Sequence, residues 1–511
     1  MVDHCTSQEI ELKLLLDPRK ATKLDLNELP ILSDKSDIRR QSLETTYYDT
    51  DDGRLRQRRM ALRVRRVGKH YLQTLKTAGS GGVLSVRGEW EVALDGPDPD
   101  MTRIGDAKAL DRLGLVLPEQ IKPVFTTMFE RQKAIWSDGS NKVEIALDVG
   151  RIDANDKSLP VAEIELELKG GHSRAIFSLV EEIRDWVPVR IGTEPKAERG
   201  YRLCHDQPPA WSKRQSLHFE KDISLRDGIR TILRDCLTTW LDNEPAAIDG
   251  RDSEGVHQLR IAIRRMRSAL VLFAPWMDEA GLRTLAPRLQ TALKALGPAR
   301  EIDVFVEELL EPYWNDLVVH ADLTGLLDVA ARARMEAHAD LRHYLTSRDH
   351  ADLVLDLVAW IELDRWKAPH VSGRLVTVAE VLLDKRLKKL LKRGRRIERL
   401  SDEERHELRL ALKKLRYATD FLSPLFPGRK VKKGRKLLAS LQDSMGQAND
   451  LAECSDRIDS LLARNDLGED RFEIVRSAGF LHGWHACALA VSRAELDEAW
   501  RAFAESKPFW K

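Results

Sequence analysis

Hydrophobic and polar residues alternate along the first part of the chain. Between Gln8 and about Asp148 the period is two, in EIELKL, ALRVRR, VRGEWEV and VEIALDVG, and it returns in AEIELELK. That alternation predicts strands with one buried face. Asp52-Gly53, Gly79-Ser80-Gly81-Gly82 and Asp138-Gly139 separate the segments, as antiparallel connections require. Helical stretches are expected around 17–29, 105–113 and 172–186. From about residue 218 the period becomes 3.6, in segments such as SLRDGIRTILRDCLTTWL and RLKKLLKRGRRIERL. The intervening HDQPPAWSKRQSL, with its Pro-Pro, reads as a connection. The pattern predicts an α+β domain over 1–204, a linker over 205–217 and an all-helical domain over 218–508.

Composition narrows this picture. At 511 residues the chain exceeds what one core usually organises, and 42% hydrophobic with 32% charged residues excludes wholesale disorder. There are 83 Lys+Arg against 82 Asp+Glu, so any electrostatic function must come from local sorting of charge. Five scattered cysteines, none in a C-x-x-C pair, argue against a disulfide framework or structural zinc and fit a reducing compartment. Neither a signal peptide nor an uncharged apolar run long enough for a membrane span is expected. The expected location is the cytoplasm.

Charge is sorted within the strands. Glu9, Glu11 and Lys13 share one face of EIELK, Arg63 and Arg65 flank Val64, and Arg87, Glu89 and Glu91 share parity. So do Glu144 and Asp148, and the run Glu163, Glu165, Glu167. Each face could be the wet side of a sheet, but ordinary wet faces mix Ser, Thr, Gln and Lys. Like charges side by side repel unless counter-ions sit among them. Closing the sheet into a barrel with this face inward would set carboxylates and guanidiniums around one lumen. Such a lumen suits a multiply charged phosphate chain accompanied by Mg²⁺ or Mn²⁺.

Glu9-Ile10-Glu11-Leu12-Lys13 matches the E-x-E-x-K signature of the CYTH family, the triphosphate tunnel metalloenzymes. Its companions follow in order: Tyr47-Tyr48-Asp49-Thr50, Leu62-Arg63-Val64-Arg65, Leu75-Lys76-Thr77, Arg87-Gly88-Glu89-Trp90-Glu91, Arg131, Glu144 to Asp148, Glu163-Ile164-Glu165 and Lys196 to Tyr201. The first region therefore resembles that family over essentially all of 8–203.

The resemblance implies an eight-stranded antiparallel β-barrel tunnel with flanking helices. It implies that Lys13, Arg63, Arg65, Lys76, Arg87, Arg131, Lys196 and Arg199 grip phosphate oxygens. Glu9, Glu11, Asp148, Glu163 and Glu165 would hold metal, with two Mg²⁺ or Mn²⁺ ions expected and Glu144 nearby. Glu9, Glu11, Lys13, Lys76, Glu89 and Glu91 would form the catalytic set. The Glu163-x-Glu165-x-Glu167 run leaves the register open by one step. Family members include inorganic triphosphatases, thiamine triphosphatases and adenylate cyclases, and those fused to a helical second domain most resemble inorganic triphosphatases, with tripolyphosphate as substrate. No G-x-x-x-x-G-K-[ST] is present, so a P-loop route is unsupported.

The helical half contains an internal repeat. His257-x-x-Arg260-x-x-x-Arg264-Arg265-x-Arg267 returns 149 residues later as His406-x-x-Arg409-x-x-x-Lys413-Lys414-x-Arg416, and Gly297 returns as Gly446. Two pseudo-symmetric helical bundles are expected. On a helix, His257, Arg260, Arg264 and Arg267 form one stripe, and His406, Arg409, Lys413 and Arg416 its equivalent. A solvated stripe normally interleaves acids, and none lies between 257 and 267. Segments 385–399, with nine Lys/Arg, and 429–436, with six, add basic charge. This region resembles the CHAD domain, a conserved-histidine helical module that binds inorganic polyphosphate. The resemblance implies a polyphosphate partner, with polyphosphate granules as a candidate address.

Two other readings compete. One is a non-catalytic polyphosphate adaptor, against which the carboxylate clusters speak, since anion binding gains nothing from them. The other is RNA binding, for which Tyr417 and Phe421 are the nearby stacking candidates, so nucleic acid is not the expected partner.

Overall fold

The computed structural model describes residues 8–32, 37–77, 83–104, 118–214, 216–311, 322–369, 371–464 and 471–511. The side chains of Glu9 and Arg87 and the expected helix at 105–113 lie outside the described residues.

The alternating segments form strands β1 (Gln8–Leu15), β2 (Arg39–Asp49), β3 (Met60–Val67), β4 (His70–Thr77), β5 (Ser85–Leu94), β6 (Lys122–Ser137), β7 (Lys142–Ala154), β8 (Lys157–Gly170) and β9 (Arg190–Gly192). Their order is β5-β4-β3-β2-β6-β7-β8-β1-β9, and β5 also pairs with β1. That extra pairing closes β1 to β8 into a ring. β9 is a ninth strand beyond the expected eight. It pairs with Lys13 to Leu15 of β1, while β5 takes residues Gln8 to Glu11. β5 and the short β9 thus share the edge of β1 that faces away from β8. At three residues, β9 is too short to leave a periodic signal in the sequence.

Short helices α1 (Pro18–Ala21) and α2 (Arg54–Gln57) precede α3 (Arg174–Trp186) and α4 (Lys196–His205). α3 buries Ile176, Phe177, Leu179, Val180 and Ile183 at helical spacing, the apolar stripe that stabilises an amphipathic helix. α4 approaches β6 closely, because a Cβ at Gly200 would lie 2.2 Å from the Phe125 ring. Phe125 in turn stacks on Tyr47 at 4.5 Å and meets Tyr201 edge-on at 5.3 Å. Buried Asp49 accepts hydrogen bonds from the backbone N–H groups of Thr50, Leu55 and Arg56 and from the Tyr201 hydroxyl. One carboxylate therefore ties α2 and α4 to the barrel.

The later helices are α5 (Leu225–Asp249), α6 (Ser253–Phe273), α7 (Glu279–Ala295), α8 (Gly297–Val304), α9 (Thr324–Leu345), α10 (Arg348–Glu362), α11 (Leu375–Arg393), α12 (Asp402–Leu422), α13 (Arg429–Leu462) and α14 (Arg471–Ala504). Both ends of α6 recur 149 residues later in α12, and the 3₁₀ turn 274–276 recurs as 423–425. The copies diverge after α7. In the first copy the helix stops at Ala295 and restarts at Gly297, whereas α13 runs unbroken through Gly446. Pro298 explains the break: it offers no N–H and disfavours helical geometry in Gly297, while Gln447 stands at the matching position.

The chain forms two compact units that do not divide at a single point. The first comprises 1–212 with 237–255 and 345–365; the second comprises 213–236, 256–344 and 366–511. In the first unit Arg365 makes a bidentate pair with Glu181 of α3, and Arg184 bonds Asp356. Among the described residues no helix is long and apolar enough to cross a membrane. Cys204, Cys236, Cys454 and Cys487 are free thiols.

Candidate functional site

The barrel encloses a cavity of about 1070 Å³. Strand parity determines what lines it: the apolar partners Leu12, Leu14, Ile145, Leu147, Ile164 and Leu166 are buried on the other face. Of the predicted residues, Glu11, Lys13, Arg63, Arg65, Lys76, Glu89, Glu91, Arg131, Asp148, Glu165 and Lys196 line the cavity together. Glu163 and Arg199 lie directly behind it, in contact with each other.

The carboxylates converge because Asp148 on β7 pairs with Glu163 on β8, and Ala146 with Glu165. Oxygens of Asp148, Glu163 and Glu165 all lie within 4.8 Å of one another. The Lys196 ammonium sits among them at 2.6 Å from Asp148, 2.7 Å from Glu163 and 3.0 Å from Glu165. Arg131 bonds both oxygens of Asp148 at 2.6 Å and reaches Glu165 at 2.8 Å. Lys13 bridges Glu11 and Glu165, each at 2.7 Å. Glu167, paired with Lys169, and Glu144, paired with Lys133, also line the cavity but lie outside this group of three.

This packing shifts the titrations. Burial would lower the Lys196 pKa, but the three carboxylates outweigh it and hold it above the usual lysine value. Burial would raise Asp148 and Glu165, yet Lys196, Arg131 and, for Glu165, Lys13 hold both below the ordinary carboxylate range.

The opposite wall is cationic. Arg65 is pushed down to about 10 by burial and by Arg63 and Arg131 beside it, and it donates to Thr45 at 3.2 Å. Lys76 lies 3.1 Å and Arg63 3.6 Å from Glu89, and Glu91 accepts from Thr74. Tyr47, part of the Tyr47-Tyr48-Asp49-Thr50 motif but given no role from sequence, also lines the cavity. Burial would raise its phenol, but Arg63, Arg65 and Lys196 bring it below the ordinary tyrosine value. Its parity with Thr45 on β2 was the available signal.

Pairing register gives the cavity two ends. Gln41, Val67, Lys133, Glu144, Glu167 and Lys169 mark the rim at the β3–β4 and β6–β7 hairpins. Arg56, Arg59, Met60 and Thr77 mark the other, where Trp211, Asp242 and Pro245 also line the wall.

On α6 of the second unit, His257, Arg260, Arg264 and Arg267 are each partly exposed while Leu259, Ala262, Ile263 and Met266 are buried, so the predicted stripe forms one face. Arg260 is pushed down to about 10 by burial and Arg264, and Arg267 is lowered by the same two causes. Arg264 and Arg267 make no ion pair among the described residues. Arg265, 1% exposed, instead pairs with Asp235 and lies over the Phe421 ring. On α12 the equivalent stripe is more compensated, with Arg409 4.0 Å from Glu453 and Arg416 3.6 Å from Asp420. His406 is exposed and Lys413 half-buried. Lys414 is lowered by burial and by Lys389, Arg386 and Arg393 of the basic segment on α11. Phe421 is fully buried and presents no stacking face, whereas Tyr417 is half-buried and its phenol is raised by burial. His485 is buried and bonds the Leu309 carbonyl.

The CYTH domain model matches residues 7–201 and the CHAD domain model residues 231–459. The chain carries a CYTH domain followed by a CHAD domain. An inorganic triphosphatase of Haemophilus influenzae is 32% identical over 206 residues, covering 39% of this chain and 56% of the relative. The match thus spans little more than half the length of that curated relative. The crystal structure of the CHAD domain from Ricinus communis matches 59% of this chain and 98% of that one at 27% identity, with a TM-score of 0.50. A Hippeastrum protein described as an adenylyl cyclase with a dominant triphosphatase activity aligns with 39% of this chain and 96% of its own, at 18% identity and a TM-score of 0.31.

Proposed function

We propose that the CYTH domain hydrolyses inorganic triphosphate, PPPi + H₂O → PPi + Pi, with Mg²⁺ or Mn²⁺, and that the CHAD domain binds inorganic polyphosphate. The carrying observation is the meeting of three close carboxylates, two of them lining the cavity, with Arg65, which makes no ion pair among the described residues. The name of the Haemophilus influenzae relative supports the same substrate class.

The residues fit a divalent ion. Their donors are carboxylate oxygens, the ligands that hard cations take. Glu163 is fully buried, and its Oε1 faces the Lys196 ammonium at 2.7 Å, a place where these carboxylates already hold a positive charge. Asp148, Glu163 and Glu165 would hold metal, with Glu11 adjacent and Glu9 completing the set by family resemblance; two ions are expected. When bound, the metal supplies positive charge to phosphate oxygens and acidifies water.

The chain's own residues do the rest. Arg63, Arg65, Arg131 and Lys76 bind phosphate oxygens and stabilise the charge of the transferring phosphoryl, aided by Lys13, Lys196 and Arg199 and, from its strand position, Arg87. Glu89, ordered by Lys76 and Arg63, takes the proton of the attacking water, with Glu91 beside it. The new P–O bond forms as the bond to the leaving pyrophosphate breaks.

In the CHAD domain, His257, Arg260, Arg264 and Arg267, with His406, Arg409, Lys413 and Arg416, form the polyphosphate surface. The location proposed with that partner is the cytoplasm, at polyphosphate granules. The test is a panel of tripolyphosphate, thiamine triphosphate, ATP and long polyphosphate on the intact chain with each metal. Tripolyphosphate is expected to give the highest kcat/KM. Preference for an organic triphosphate would move the assignment, and binding without turnover would make the protein an adaptor.

A further inference from the structure

The rim at Arg56 and Arg59 is not finished by the barrel. Trp211 comes from the segment after α4, and Asp242 and Pro245 from the second half of α5, yet all three line the tunnel cavity and belong to its compact unit. They are firmly placed. The Thr193 hydroxyl donates to the Leu241 carbonyl at 3.2 Å. Fully buried Asn243 accepts from Ser212 N at 2.9 Å and donates to Ser212 O at 3.0 Å, and Trp211 Nε1 donates to Asp252 at 2.8 Å.

Asp242 is unlike the metal-cluster carboxylates of this cavity. Asp148, Glu165 and Glu11 are each neutralised at ion-pair distance, whereas Asp242 makes no ion pair or hydrogen bond among the described residues, and Arg59 acts on it only at longer range. Burial raises its carboxyl to about 6, with Arg59 working against the rise. An ionised carboxylate with no ion pair beside a phosphate path repels further phosphates. At the opposite rim the described lining is strand residues, where Lys133 is paired with Glu144 and Lys169 with Glu167, so no carboxylate there lacks a cation.

We infer that Asp242, backed by Trp211, is an anionic end stop: a phosphate chain enters by the Lys133–Lys169 rim and terminates before Asp242, which restricts the tunnel to short chains. The inference rests on the phosphate-binding reading of the tunnel and adds a determinant of chain length that lies within the span of the CHAD match.

The experiment compares wild type with Asp242→Asn and Asp242→Ser in the full chain. Tunnel occupancy by tripolyphosphate and by hexapolyphosphate is read by protection of Lys76 from acylation, peptide by peptide in a mass spectrometer. Inhibition of tripolyphosphate hydrolysis by hexapolyphosphate is measured in parallel. Removing the charge should tighten hexapolyphosphate on the order of tenfold and move tripolyphosphate by less than about twofold. Equal shifts for both chains, or none for either in a variant with unchanged Tm, would overturn the end stop. If wild type hydrolyses nothing while tripolyphosphate still protects Lys76, the hydrolytic reading falls, and the protection ratio decides the stop by itself.

Discussion

The two basic regions of this molecule solve opposite problems. In the tunnel, Lys13, Arg131 and Lys196 are interlocked with Glu11, Asp148, Glu163 and Glu165. Along α6, Arg260, Arg264 and Arg267 stand beside one another, and the last two meet no carboxylate among the described residues. Alternating signs inside an enclosure create places for a cation and an anion together, which is what a metal–phosphate complex presents. A one-sign stripe on a helix offers a place for an anion only, with affinity that salt will weaken. The difference separates a site equipped for chemistry from a surface equipped for capture.

The largest expected effect would break the tunnel half of this contrast. Glu165→Gln removes a carboxylate that Lys13, Arg131 and Lys196 share, and should lower kcat for tripolyphosphate on the order of 10³-fold, read by phosphate release. Arg65→Gln should cost on the order of 10²-fold in kcat/KM, because Arg65 makes no ion pair among the described residues and stands beside Arg63 and Arg131. Both variants should leave polyphosphate binding by the CHAD domain unchanged.

A smaller effect sharpens the helical half. Arg260→Gln should weaken polyphosphate binding about tenfold at low salt and flatten its salt dependence, in a titration of the intact chain. Arg409→Gln should weaken it less, since Arg409 already faces Glu453 at 4.0 Å. Equal losses would mean that the two repeats share the ligand evenly.

Stability should follow pH through the tunnel. Asp148 and Glu165 have folded pKa values below their unfolded ones. Their contribution is therefore fully present above about pH 4 to 5 and is lost as pH falls through the depressed folded values. Lys196 is shifted the other way, so its contribution is lost only as pH rises beyond the ordinary lysine range. Thermal melts from pH 7 downward should show the first unit losing Tm in acid.

Much of this was legible in the sequence because the barrel obeys period two. Arg63, Arg65, Glu163 and Glu165 were readable as a set by parity, and the repeat at 149 residues forecast helix ends that recur at that spacing. What was not legible is tertiary. That Glu163 sits behind the cavity wall while Glu165 lines it depends on barrel curvature. Arg265 looks like a stripe neighbour on paper, but its packing over Phe421 and against Asp235 depends on helices α5 and α12. Asp242 and Trp211 belong to segments with no local signal for a tunnel, since proximity between distant segments leaves no periodicity to read.

The central claim is that the paired carboxylates and arginines of the tunnel hydrolyse a metal-bound triphosphate. ³¹P NMR of tripolyphosphate with the intact chain and Mg²⁺ or Mn²⁺ tests it most directly. The account predicts pyrophosphate and phosphate appearing in equal amounts, abolished by chelation and by Glu165→Gln. Metal-independent release, or release that survives that substitution, would contradict it.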